Sequence, residues 1–349
     1  AVFGRVVLGR VDDFTGHLGG GEPRRAGPHV HQLDRKGLVA LGHGVFPWGR
    51  LLREAAARHG IRHAFIEHSA QDVLRITRGS RLAHSYANHA HDAAVVFTSG
   101  PHMADHLQSE LRLPNARWLP NGAVLLGADR IRTAKSADDG PVILAAANYY
   151  RRKGLEELIQ AFDRVAGRHE TAQLRILTEA PLSLGYRRWR ASHFDRIHLE
   201  PPLPQGALLD AMARADVLAL PSWAEAFGMV YVEALGAGTP VVMTNDSGVS
   251  QVLPLHPNVR EGDVVGWSVP PKNVVALAGA LEDALVHADR LQAMGHAGRA
   301  LVAERFRWRD SAKLAIEGLF PVAMASTSRL PGSDNADSAP APTAAGQEN

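Results

Sequence analysis

Two carboxylates enclose the segment of this chain with the clearest chemical potential. Glu225 and Glu233 flank Ala226-Phe227-Gly228-Met229. The apolar run Val217–Leu220 has strand length and ends at Pro221-Ser222, and a helix is predicted from about Gly228 to Leu235. Glu225 then falls in the loop before the helix, and Glu233 more than one turn into it. The first amides of a helix have no acceptor inside it, so those around Phe227–Met229 are donors open to an anion. Gly228 lets a ligand come close to the backbone. Carboxylates accept from hydroxyls while amides donate to phosphate, a pairing suited to a polyhydroxylated ligand that carries phosphate. Taken alone, the two acids also suit a helix-start residue and a solvated helix position.

The elements that must position these groups follow from periodicity. Strands are predicted at Val142–Ala147, Leu174–Leu177, Ile197–Leu199, Val217–Leu220 and Pro240–Met243, with helices at Gly154–Gly167, Leu208–Ala215, Gly228–Leu235 and Val274–His287. The first half repeats the pattern less cleanly. Strands at Leu38–Leu41, His63–Ile66 and Ala94–Thr98 alternate with helices at Trp48–His59 and Met103–Leu113. Val6–Leu8 suits a further strand, and Gly19–Gly21 reads as loop. Strands alternating with helices mean βαβ units and parallel sheets. In such sheets ligands bind at the carboxyl ends of the strands. Gly42-His43-Gly44 occupies one such end and could line an acceptor side, His68 another, and Ser99-Gly100 a third.

Composition narrows the function classes. The 349 residues exceed one ordinary domain, and 45% are hydrophobic, enough for two cores. No stretch approaches the roughly 18 uncharged apolar residues of a membrane span, and no secretory leader is expected at the start. Zero cysteines exclude disulfides, thiolate metal sites and a cysteine nucleophile, which fits the cytoplasm. The first 130 residues hold 16 Lys and Arg against 11 Asp and Glu, and 12 of the 18 histidines. That small excess is far from a nucleic-acid binder; it allows weak peripheral membrane contact through the basic first half. The acidic pairs Asp12-Asp13 and Asp138-Asp139 are poorly placed for a metal, and the histidines lack metalloprotease spacing. Residues 325–349 are rich in Ser, Ala, Pro and Asp, and a disordered tail is expected there.

With the ordered motifs on view, the second half resembles the nucleotide-sugar domain of glycosyltransferase family 4, retaining enzymes of the GT-B fold. Its signature, an acid, seven residues and an acid between Pro-Ser and Gly-Thr-Pro-Val-Val, matches Pro221-Ser222, Glu225 to Glu233, and Gly238-Thr239-Pro240-Val241-Val242. Lys153-Gly154 resembles the family's Lys-Gly segment, Gly266–Pro271 the closing segment, and Phe306-Arg307-Trp308 the aromatic pair before the last helix. The match covers about residues 115–320. In the first half Glu67-His68-Ser69 resembles a Glu-His-Ser variant, and Pro120-Asn121-Gly122 the family's Pro-Asn-Gly. Two departures stand out. Asn148 occupies the usual position of an arginine, and Thr178-Glu179-Ala180-Pro181 replaces a glycine-rich turn.

The resemblance implies an α/β protein of two Rossmann-like parallel-sheet domains facing a cleft. Residues 1–130 would form a short acceptor-side domain, 131–308 the nucleotide-sugar domain, and 309–324 a helix crossing back. Phe306, Trp308, Leu314, Ile316, Leu319 and Phe320 would pack that helix across both. It also implies a nucleoside-diphosphate-sugar donor, a glycan, lipid or small-molecule acceptor, and no metal or cofactor. Lys153 would meet the donor diphosphate beside Asn148, Glu233 the ribose, Glu225 the donor sugar, and His68 would orient that sugar. His43, Gly44, Ser99 and Asn121 would lie toward the acceptor. A non-catalytic nucleotide-sugar binder and a sugar-nucleotide epimerase remain as alternatives.

Overall fold

A computed structural model describes residues 7–9, 39–47, 49–127, 140–179, 182–246, 248–257 and 264–320. The doublets Asp12-Asp13 and Asp138-Asp139, the loop Gly19–Gly21 and residues 325–349 lie outside them. The first unit runs β1 (Val7–Gly9), β2 (Val39–His43), α1 (Gly49–His59), β3 (Arg62–Glu67), α2 (Ala70–Leu74), α3 (Arg81–Ala90), β4 (Val96–Thr98), α4 (Pro101–Leu111) and β5 (Ala116–Trp118). Its five strands stand in chain order, β2 to β5 parallel. The expectation of a wholly parallel sheet is corrected at one edge, where β1 pairs antiparallel to β2. An antiparallel edge on an otherwise parallel sheet is a common arrangement.

The second unit runs β6 (Val142–Ala146), α5 (Leu155–Ala166), β7 (Gln173–Leu177), α6 (Leu182–Trp189), β8 (Ile197–Glu200), α7 (Gln205–Arg214), β9 (Val217–Leu220), α8 (Met229–Gly236), β10 (Val241–Thr244), β11 (Leu255–His256), β12 (Gly266–Val269), α9 (Val274–Val286) and α10 (Ala288–Arg305). Its seven strands stack in the order β11-β12-β10-β9-β6-β7-β8, every pairing parallel. Every residue of β9 and β10 is buried, because helices cover both faces and the strands must be apolar throughout. On α5, Leu155, Leu158, Ile159, Phe162 and Val165 recur at helical spacing and are buried against this sheet.

The last helix, α11 (Trp308–Leu319), packs on the first sheet rather than the second. One face of that sheet carries the helices around Phe65, Met103 and Leu107. The other face, Val39, Ala64, Val95 and Phe97, meets Ile316, Leu319 and Phe320. Phe306 is buried edge-on against Phe227 of the second unit. Leu314 departs from the expected packing at 44% exposed, and Trp308 is half exposed, its ring lying against Gly122.

The two units also touch at the carboxyl ends of their strands. Gly100, which caps α4, lies so close to the Ala226 carbonyl that a side chain there would overlap it. Gly248 crowds the same carbonyl from the second unit, with the His102 ring beside it.

Candidate functional site

Lys153 and Glu225 come from neighbouring strand ends. A 3-10 turn, Arg151–Lys153, follows β6, and Gly154 (φ 70) turns the chain into α5 with its α-carbon against the Pro221 carbonyl at the end of β9. That contact sets the two loops side by side. Lys153 Nζ donates to Glu225 Oε1 at 2.5 Å, with both side chains mostly buried.

Immediately after Glu225 the chain enters α8 through Gly228, whose φ of 96 is a left-handed conformation natural only to glycine. The tyrosine ring of Tyr231 fills the place a side chain would take. Among the described residues, the amides of Phe227, Gly228 and Met229 form no hydrogen bond with the protein. They are open donors at the start of α8. Farther along α8, burial raises the Glu233 carboxyl above its ordinary range, partly offset by a hydrogen bond from Gln205 at the start of α7.

Asn148 is exposed in the loop after β6. Arg151, the nearest candidate to replace the missing arginine, is held by both Glu157 oxygens at 2.8 Å and lies over the Trp223 ring. Lys272 sits 4.2 Å from the centre of the same ring. Arg152 reaches the Ala224 carbonyl at 3.5 Å and lies over the Tyr150 ring.

The first unit contributes a connected polar chain. Ser99 Oγ donates to the Glu67 carbonyl at 2.9 Å and lies 3.2 Å from His68 Nδ1. His68 Nε2 lies 3.0 Å from His43 Nδ1, the two rings stacked with 16° between their planes. Burial, then the neighbouring His43, lowers the His68 pKa. Beneath them the buried Glu67 carboxylate accepts from the Val45 amide at 2.7 Å and the Tyr86 hydroxyl at 2.9 Å, while burial pushes its pKa up. Gly44 (φ 79) makes the turn that carries the chain from His43 to Val45.

The contact of Gly100 with Ala226 joins these groups, because Ser99 precedes Gly100 and Glu225 precedes Ala226. Asn121 is set apart. Its neighbours Gly122 and Ala123 lie against Trp308 and the Phe306 carbonyl, at the start of the last helix. Sequence reasoning missed Tyr86, Gln205, Trp223 and Lys272. Tyr86 had a legible signal: Ser80, whose side chain accepts from the Ala83 amide, caps a helix with Ala83, Tyr86 and Ala90 on one face.

Two Rossmann-like units meeting at their strand ends define the GT-B fold. Residues 128–301 match the family model described as glycosyl transferases group 1, and the second unit belongs to that family. The chain is 26% identical to the phosphatidylinositol N-acetylglucosaminyltransferase gpi3 subunit of Schizosaccharomyces pombe, over 62% of this chain and 48% of that protein. It is 31% identical to a D-inositol 3-phosphate glycosyltransferase of Paenarthrobacter aurescens, over 50% of this chain and 42% of that one. The chain thus spans about half the length of the curated relatives it matches. Among solved structures it resembles Anabaena HepE in complex with UDP and glucose, with a TM-score of 0.64 and 16% identity, covering 78% of this chain and 76% of that one. That likeness speaks for the fold alone. Among the described residues no helix is long and apolar enough to cross a membrane. No group of three or more His, Asp or Glu among them is placed to hold a metal ion.

Proposed function

We propose that the chain is a retaining glycosyltransferase that moves a sugar from a nucleoside-diphosphate donor to a hydroxyl acceptor, without a metal. The observation that carries this reading is the Lys153–Glu225 pair beside the open amides of Phe227–Met229. Its chemical problem is charge separation: the sugar becomes oxocarbenium-like as the diphosphate departs. Lys153 and the amides stabilise the growing negative charge, the term that usually dominates such catalysis. Lys153 turns from Glu225 to the phosphate, and Glu225 is released to accept from a donor-sugar hydroxyl. Glu233 accepts from the ribose hydroxyls. The leaving phosphate helps deprotonate the acceptor on the same face of the sugar. The His43–His68 pair offers hydrogen bonding to a sugar hydroxyl from the first unit. Closure at the Gly100–Ala226 seam excludes the water that would otherwise hydrolyse the donor.

The names of two relatives support a phosphorylated or lipid-linked polyol as acceptor, because one acts on phosphatidylinositol and the other on inositol 3-phosphate. A thermal-shift screen across UDP-, GDP- and ADP-sugars tests the donor, since ligand at 100 times its dissociation constant adds roughly 2.7 kcal/mol. Product analysis with the responding donor then separates transfer from mere binding or epimerisation. Binding without turnover on any acceptor would sink the enzymatic reading, and so would an epimerised sugar nucleotide.

A further inference from the structure

The hydrogen bonds of Ser99, His68 and His43 have a determinable direction. A serine hydroxyl has one proton, and Ser99 spends it on the Glu67 carbonyl, which can only accept. Its contact with His68 Nδ1 must therefore run the other way, with Nδ1–H donating to Oγ. Partial desolvation and the neighbouring His43 lower the His68 pKa, which favours the neutral ring, and in that form its remaining nitrogen, Nε2, carries a lone pair. The partner of that lone pair is His43 Nδ1, which must donate. In neutral His43 the other nitrogen, Nε2, is then an acceptor, and it makes no hydrogen bond among the described residues. His43 is also exposed at the carboxyl end of β2, where ligands of parallel sheets bind.

From this chain of donors we infer that His43 meets a substrate hydroxyl, accepting its hydrogen bond at Nε2. His68 and Ser99 are the positioning residues that hold its ring in that tautomer. The inference rests on the glycosyl-transfer reading for the identity of the hydroxyl, which belongs to a sugar or polyol. The tautomers do not depend on that reading: they stand on the hydrogen-bond geometry together with a neutral His68. Both nitrogens of His68 are engaged inside the protein, so the pair presents its unengaged acceptor at His43.

The test has two arms on the full chain. With 15N-histidine labelling near pH 8, long-range proton–nitrogen correlations should show His43 and His68 both protonated at Nδ1. Ser99→Ala removes the acceptor and should move the His68 proton to Nε2. A wild-type His68 protonated at Nε2 overturns the inference, and needs no variant to fold. In the second arm, His43→Asn keeps an amide N–H near the place of Nδ1 and deletes Nε2, whereas His43→Gln places its amide near Nε2. His43→Asn should lower kcat/KM roughly tenfold or more with the His68 tautomer unchanged, and His43→Gln should retain more activity. Wild-type kcat/KM in His43→Asn overturns it. A wild type that transfers from no nucleotide sugar, with both tautomers as expected, would count against the proposed function and the hydroxyl contact while leaving the hydrogen-bond direction standing.

Discussion

Lys153 and Glu225 lie 72 residues apart in the chain and meet at 2.5 Å. The Gly154 contact with the Pro221 carbonyl brings their loops together, so the pair belongs to the sheet's architecture and not to chance at the surface. On the proposed function, it holds Lys153 against a carboxylate until the donor diphosphate takes its place. Arg151 is bound to Glu157, so it is not equally available.

Lys153→Ala should lower turnover by about 10²-fold or more, the usual scale for losing a transition-state charge partner. Glu225→Gln should mainly slow the chemical step. Because the two side chains touch, the double variant should lose less than the sum of the singles. Steady-state kinetics with melting temperatures measured alongside decide this. Near-wild-type turnover in Lys153→Ala would remove Lys153 from the diphosphate site.

Glu233→Gln should weaken binding of free nucleoside diphosphate. Burial raises this carboxyl, so it takes up a proton at a pH where ordinary carboxylates stay charged. A neutral acid is a poorer acceptor for ribose hydroxyls, and wild-type affinity should fall as pH drops through that raised pKa. The glutamine variant should lack this step. Calorimetric titrations between about pH 4 and 8 would show it; parallel profiles for the two proteins would refute the ribose role.

Glu67 makes a stability prediction with a definite sign. Its folded pKa is raised by burial, so ionising it costs more in the folded state than in the unfolded chain. The folded state's relative advantage is present below the unfolded pKa and is lost as pH rises through the folded one. Gln at this position keeps an oxygen for the Val45 amide and the Tyr86 hydroxyl but carries no charge. The melting temperature of Glu67→Gln relative to wild type should therefore climb as pH rises. A difference independent of pH would mean that Glu67 does not titrate with the fold.

The second unit was the more legible because buried parallel strands must be continuously apolar, and β9 ends where Pro221-Ser222 breaks the run. The long helix α10 escaped notice for an equally physical reason. Gly295 and Gly298 interrupt it and read as breakers, yet the first sits against the Gly238 carbonyl and the second against Leu235. Small residues there permit close helix packing, a tertiary need that local propensity cannot reveal. Likewise Glu225 and Glu233 could be found by spacing. The hydrogen-bond chain from His43 through His68 to Ser99 could not, since its members come from three different strand ends.

One substitution made at two glycines should have opposite effects. Gly279 lies in α9 with nothing within 4 Å of the position a side chain would take. Replacing a helical glycine by alanine in open space stabilises by roughly 0.5–1 kcal/mol, through lost freedom of the unfolded chain. Gly318 also lies in a helix, α11, and would gain the same amount from propensity. Its new methyl, however, would stand 2.6 Å from the Phe97 ring, which is buried at 2% exposure beside Val95 and has little room to turn. Overpacking of this kind costs typically 1–3 kcal/mol, enough to outweigh the gain. Gly279→Ala should melt at or above wild type, and Gly318→Ala below it. Both are read by thermal unfolding of the full chain. If Gly318→Ala is as stable as Gly279→Ala, α11 does not press on the first sheet, and the joining of the two units through that helix is wrong.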